Sequence, residues 1–369
     1  MSDNTGIRRA PTDPTSLQVV FVCGSSRSGT TMTGRLLGRS PVVHTMEELH
    51  YFEGIWDPSD DRPLSADRAR NATARLVAIE RGGFRHPAPV AACEHEANCI
   101  LDGLTDTAGP AVYAAFVAHR AAATGTSIVC DQTPRNVYLL EQLLDWYPRA
   151  RAVIVVRDPR DVLLSQKNRW RRRQRGIETM SRRDQLRLWS GYHPITMSHL
   201  WRSAAEVGLH LSEHPRVHVV RFEDLVTTPE ATVRALCDAT GVPFERHLLD
   251  VPQSGSSHGP VRVGASGLDP NAVGRWRTGG LTSTEIVTTE HLTAGTMEAF
   301  GYEASGWTRS PWRAAGSAGI LPVKGALALA LNLSRSRRIL RVARRRFGSR
   351  RRTGPEAPQD REAGLRKGP

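Results

Sequence analysis

Two short segments hold residue types that could bind and move an anionic group. The first is Gly24-Ser-Ser-Arg-Ser-Gly-Thr-Thr31. It follows the apolar, β-branched run Leu17–Cys23 and precedes a helix expected over Thr30–Arg39, stopped before Pro41. A glycine-containing loop between strand and helix lets backbone N–H groups converge, and the helix N-terminus adds positive potential, which suits a phosphate. The glycine spacing is that of a nucleotide P-loop, but Thr30 stands where that motif has lysine, and the cation, Arg27, comes three places earlier. The second segment is Arg157-Asp-Pro-Arg-Asp-Val-Leu-Leu-Ser165. Arg157 falls at the carboxyl end of a strand expected over Ala152–Val156, where open α/β sheets bind ligands, and Ser165 offers a hydroxyl in the helix that follows.

Gly24–Thr31 resembles the 5′-phosphosulfate loop of the sulfotransferase superfamily, whose donor is 3′-phosphoadenosine 5′-phosphosulfate (PAPS). The resemblance implies that Arg27 contacts the sulfuryl group and the leaving phosphate, while Ser28, Gly29, Thr30 and Thr31 hold the 5′-phosphate. Arg157 followed eight residues later by Ser165 resembles the family's 3′-phosphate motif. Arg169, a turn further on the same face, matches another phosphate-contacting position in the tyrosylprotein branch. Val273-Gly-Arg-Trp276 is similar to a segment that closes over the nucleotide; Arg275 would meet phosphate, and Trp276 either closes the site or only packs. Val220-Arg-Phe-Glu-Asp-Leu225 also resembles a family stretch and reads as structural. The likeness covers roughly residues 17–50 and 127–305.

Sulfuryl transfer to a hydroxyl needs the acceptor proton removed as the S–O bond forms. The cytosolic small-molecule branch uses a histidine shortly before the 3′-phosphate strand, but Asp131-Gln-Thr-Pro-Arg-Asn136 contains none. The tyrosylprotein branch has a Glu-Glu pair where this chain has Glu47-Glu48, which implies Glu48 as base with Glu47 supporting it. His44 and His50 are nearby substitutes. A glutamate of ordinary pKa, about 4.3, is a weak base toward an alcohol, and partial burial beside a like charge is expected to raise it. The competing reading is a solvated acidic pair at a helix start. The chemistry implied is in-line displacement at sulfur, with Arg27 in an oxyanion-type role and positioning supplying much of the rest. Arginines provide the positive charge, so no metal is required.

Elements that alternate between strand and helix must hold these residues in place. Further strands are expected at Ser127–Cys130 and Val217–Arg221, and helices over Arg135–Tyr147, roughly 184–210, Pro229–Thr240 and Ser283–Phe300. The expected fold is α/β, one domain with a central, mostly parallel sheet flanked by helices, of the P-loop NTPase-like sulfotransferase type. Residues 1–16 read as a disordered lead-in, 17–307 as the domain, 51–126 as a helical insert shaping the acceptor site, and 308–369 as a basic tail.

Composition narrows the remaining choices. The 369 residues carry a net charge of +13, but ten arginines and no acid lie between Arg335 and Arg352, so the rest of the chain is only at +3. Only three of the 50 basic residues are lysine, a bias that makes arginine number weak evidence for phosphate binding. Five cysteines suit a reducing, cytoplasmic setting better than a disulfide framework, and Cys93-x-His95 with Cys99 lacks a second pair to complete a metal site. No apolar run is long enough to span a membrane. The apolar stretch Gly319–Leu333 beside the arginine cluster suits an anionic membrane surface at the inner face, against a solvated tail or nucleic-acid contact, the least favoured of the three. The run Arg169–Arg175 is either a solvated face or the rim of an entrance for an anionic acceptor. Sulfuryl transfer from PAPS to a hydroxyl of a carbohydrate, glycolipid or natural product is the leading function. A P-loop kinase is disfavoured by Thr30, and a non-catalytic basic membrane- or nucleic-acid-binding protein leaves Arg27, Arg157 and Ser165 unexplained.

Overall fold

The computed structural model describes residues 18–60, 62–170, 181–251 and 267–308. The lead-in, most of the Arg169–Arg175 run and the basic tail with its apolar stretch lie outside the described residues. Among the described residues five strands form one sheet: β1 (Val19–Gly24), β2 (Val43–Met46), β3 (Ile128–Asp131), β4 (Arg151–Val156) and β5 (Val217–Arg221). Their order is β2-β3-β1-β4-β5 and every pairing is parallel. β1 lies in the middle, with Val20 opposite Cys130 of β3 on one side and Arg151 of β4 on the other.

The apolar run of β1 is buried on both faces, as a central parallel strand must be. Val19, Phe21 and Cys23 face α2 (Ala66–Gly82), α3 (Glu94–Leu101), α4 (Gly109–Thr124), α5 (Leu140–Trp146) and α8 (Pro194–His210). Val20 and Val22 face α1 (Thr30–Leu37), α9 (Phe222–Thr227) and α10 (Pro229–Thr240). The sequence after β2 is not an appendage. It forms the crossover to β3, and Tyr51, Phe52, Trp56 and Tyr113 pack with Trp146 and Tyr147 in the same core as Phe21.

Three local readings need correction. β2 was not anticipated, because Val43-His-Thr-Met46 is short and half polar. The chain over Arg135–Tyr147 begins as a 3-10 turn at Pro134–Leu139, and only Leu140–Trp146 is α-helical. The region 184–210 is two helices, α7 (Arg182–Ser190) and α8, separated at Gly191–His193.

The turn after β4 is a buried polar hub. Asp158 caps α6 (Pro159–Lys167) by accepting from the Arg160 amide at 2.8 Å. Arg160 is 1% exposed; it donates to Asp158, to Glu290 of α11 (Ser283–Ala299) at 2.7 Å and to the Glu303 carbonyl at 2.9 Å. Its guanidinium lies 4.0 Å from the Trp276 ring centroid. Trp276 in turn donates from its indole to Asp158 at 3.1 Å and from its amide to Asp161 at 2.9 Å. The Trp276 ring is thus buried against the hub.

Replacing Arg160 by methionine strands Asp158 and Glu290 without their cation. Urea unfolding of Arg160→Met is expected to show a loss of about 3–5 kcal/mol. A loss below about 1 kcal/mol, the scale of a surface pair, would mean that this hub does not hold α11 to the sheet.

Candidate active site

Because all five strands run the same way, their carboxyl ends open onto one edge, and each contributes to the site. The loop after β1 is shaped by two close approaches. A Cβ on Gly24, at φ +140°, would collide with the Val155 carbonyl, and one on Gly29, at φ +110°, would strike the Phe222 ring. Gly29 gives α1 no side-chain cap and no acid lies in its first turn, so its leading N–H groups and positive end face the loop. Ser28 is fully buried and its hydroxyl has no hydrogen-bond partner among the described residues. A buried hydroxyl left this way fits an anionic oxygen.

The two predicted anchors meet. Arg27 Nε donates to Ser165 Oγ at 3.1 Å, Arg157 donates to the Arg27 carbonyl at 3.4 Å, and Gln166 donates to the Ser26 carbonyl at 3.4 Å. Arg157 lies over Phe222 at 4.3 Å and donates to the Ala272 carbonyl at 2.6 Å, while its Nε is buried without a partner among the described residues. Burial pulls the Arg157 pKa down, against the opposing carboxylates of Asp161 and Glu223. The segment resembling a family stretch supports the site structurally: Phe222 lies under both anchors, and Glu223 accepts from the Asp158 amide at 3.0 Å. Arg275 donates to Asp269 at 2.8 Å and to the Asn271 carbonyl at 2.6 Å, and its charge bears on Arg157.

Glu48 lies two residues past the end of β2, in a segment of no regular structure that leads into a π-helical turn at Tyr51–Ile55. Its carboxylate accepts from Thr31 Oγ1 at 3.2 Å, which ties it to the first turn of α1, and lies 3.5 Å from His50 Nε2. Burial alone would raise its pKa, as expected from the sequence. The bonds from His50 and Thr31 and the charge of Arg169 overcome that and hold Glu48 below the usual carboxylate range. It is Glu47 that is raised, by partial burial and by the Glu80 carboxylate. Of the two histidines, His44 is engaged with Glu80 at 2.8 Å, whereas His50 stands between Glu48 and Glu53. Arg27 (φ +77°) and His50 (φ +50°) are the two non-glycine residues at positive φ among the described residues. Both belong to this site, where such strain tends to collect.

Three residues that the sequence did not single out hold the Glu48 segment in place. Thr133 Oγ1 accepts from the Leu49 amide at 3.1 Å and the His50 amide at 3.4 Å. Gln132 donates to the Met46 carbonyl at 3.0 Å. Asp131, at the end of β3, accepts from the Thr133 amide, Tyr113 and Asn136 at 2.9, 2.8 and 3.2 Å. Burial pushes the Asp131 pKa up, and these three donors counter that only in part. The stretch that lacks a histidine thus fixes the backbone around Glu48. Chemically, the edge combines an anion cup, a second cationic socket and a carboxylate able to accept a proton. Among the described residues no three His, Cys, Asp or Glu side chains converge as metal ligands would.

Residues 19–246 match the model of the sulfotransferase family. The nodulation protein NoeE of Sinorhizobium fredii is 27% identical over 157 residues, which are 41% of this chain and 32% of that protein, so the match spans about a third of the relative's length. Among solved structures, the sulfotransferase domain of the Synechococcus PCC 7002 olefin synthase is 23% identical, covers 77% of this chain and 94% of its own, and superposes with a TM-score of 0.49. Sulfotransferase STF9 of Mycobacterium avium is 16% identical, with 82% and 81% covered and a TM-score of 0.41.

Thr133→Val removes the acceptor shared by two amides and leaves them unpaired. It is expected to cost about 1–3 kcal/mol in urea unfolding and to speed hydrogen exchange at Leu49 and His50, while Thr133→Ser preserves both. Unchanged exchange at those amides in Thr133→Val would show that Thr133 does not hold this segment.

Proposed function

The chain belongs to the sulfotransferase family, and from that premise we propose that it transfers the sulfuryl group of PAPS to an acceptor hydroxyl. The observation that carries this reading is the Arg27–Ser165 hydrogen bond, which joins the phosphate cup to the second anchor. A donor with phosphates at both the 5′ and 3′ positions needs two such sockets side by side, and a kinase nucleotide does not. The orphaned Ser28 hydroxyl and Arg157 Nε are suited to its oxygens.

When bound, the donor supplies a sulfuryl group on a phosphate leaving group. Ser28, Gly29, Thr30 and Thr31, with the N-terminus of α1, bind the 5′-phosphate. Arg157 and Ser165 bind the 3′-phosphate, with Arg275 adding charge beside Arg157. Arg27 is placed to stabilise charge on the leaving oxygen and the sulfuryl oxygens. Glu48 accepts the acceptor's proton and is kept ionised by His50 and Thr31, with a lesser share from Arg169, which also lies toward the 3′-phosphate anchor. A depressed pKa is compatible with this role, because an alcohol proton becomes acidic once its oxygen bonds to sulfur, so transfer occurs late. His50 orients the carboxylate, and Thr31 links its position to the phosphate cup.

Calorimetry without metal is expected to give strong preference for adenosine 3′,5′-bisphosphate over ADP, with Arg157→Ala weakening the bisphosphate about 10- to 100-fold through loss of a charge-assisted contact. Equal binding of the two nucleotides would reject the donor assignment.

Glu48→Gln is expected to lower kcat about 10²- to 10⁴-fold with any acceptor the wild type sulfates, and to leave bisphosphate affinity unchanged. Glu48 works ionised and its pKa is depressed. The acid limb of kcat/KM therefore lies below the usual carboxylate range, and the rate stays flat as pH falls from 7 to about 5. An acid limb near pH 6.5, the ordinary histidine value, would instead assign the base to a histidine.

A further inference from the structure

α2 ends in a loop that carries an aromatic ring to the base. The Gly83 amide donates to the Ile79 carbonyl at 2.6 Å, and the Ala88 amide donates to the Ala78 carbonyl at 2.9 Å. The excursion over residues 84–87 therefore leaves and rejoins α2 at neighbouring points, with both ends pinned. At its tip Phe84 lies against His50, ring centroids 4.2 Å apart and tilted by 50°, yet it remains 49% exposed. His50 Nε2 is 3.5 Å from the Glu48 carboxylate. Five large apolar side chains are exposed among the described residues, and Phe84 has its ring on the segment that carries the base. An isolated exposed apolar residue is ordinary; one presented by a pinned loop beside a proton acceptor has a surface to offer.

Resting on the sulfuryl-transfer reading above, we propose that Phe84 is the acceptor platform and that the acceptor is an alcohol whose hydroxyl is carried on a ring with a C–H face. A hydroxyl must come within about 2.6–3.2 Å of Glu48 to hand over its proton. The carbon skeleton then continues past His50 toward the Phe84 ring, His50 Nε2 lying 3.5 Å from the Glu48 carboxylate and the His50 ring centroid 4.2 Å from that of Phe84. An exposed aromatic face buries apolar surface best against a ring that presents a C–H face to it. A pyranose and a carbocyclic alcohol share the required chemistry.

The test uses saturation-transfer NMR on the full chain, with and without adenosine 3′,5′-bisphosphate. The probes are methyl β-D-glucopyranoside, cyclohexanol and 1-hexanol, and the variants are Phe84→Ala and Phe84→Trp. Ring probes are expected to bind better than hexanol. Phe84→Ala is expected to weaken them about 5- to 10-fold, the scale of one ring contact, while Phe84→Trp retains them. Preference for the glucoside identifies a sugar acceptor, and preference for cyclohexanol a carbocyclic one. Equal binding to wild type and Phe84→Ala, hexanol matching the ring probes, or no ring probe binding would overturn the proposal. The bisphosphate titration of the same samples reports separately on the donor reading: a platform that fails beside intact bisphosphate binding leaves that reading standing.

Discussion

A strand hydrogen-bonded in parallel to neighbours on both sides forces the loops at their carboxyl ends against one another. β1 is in that position, and the close contact between Gly24 and the Val155 carbonyl is the tightest expression of it. From this one constraint comes the meeting of Arg27, on the loop after β1, with Arg157 and Ser165, on the turn and helix after β4. The sheet order then brings β3 to the other side of β1 and β2 beyond it, which sets Thr133 and Glu48 on the same edge. The site lies where strand order reverses, the expected place for a ligand in an open α/β sheet.

Charge placement explains how such a site tolerates its own residues. Arg157 donates to the carbonyl oxygens of Arg27 and Ala272, and Asp161 approaches it only to 3.9 Å. The neighbouring Arg160, by contrast, is satisfied by Asp158 and Glu290 and holds the architecture together. Glu48 is kept charged by hydrogen bonds as well as by an arginine, so its ionisation depends on a geometry that Thr133 and Gln132 maintain.

Features that depend on adjacent residues were legible in the sequence. β1, its loop and α1 form one continuous strand–loop–helix unit, and so do β4, Arg157 and α6, whose Asp158 cap and Pro159 are local signals. β2 escaped because His44 and Thr45 break its apolar run, though both are held by partners elsewhere in the chain, Glu80 and the Gly34 carbonyl. Position alone implies a raised Glu48 pKa, through burial and the adjacent Glu47, whereas Thr31, His50 and Arg169 act through space and reverse the sign. The Thr133 clamp joins residues 84 positions apart, and no local pattern announces it. The partners of Trp276, Asp158, Asp161 and Arg160, are likewise more than a hundred residues away in sequence.

The most direct test of the paired-anchor site is a crystal structure of the chain with adenosine 3′,5′-bisphosphate. The 5′-phosphate should lie on the α1 N-terminus within hydrogen-bond distance of Ser28 Oγ, and the 3′-phosphate on Arg157 and Ser165. A nucleotide bound elsewhere, or bound with its 3′-phosphate away from Arg157, would contradict it.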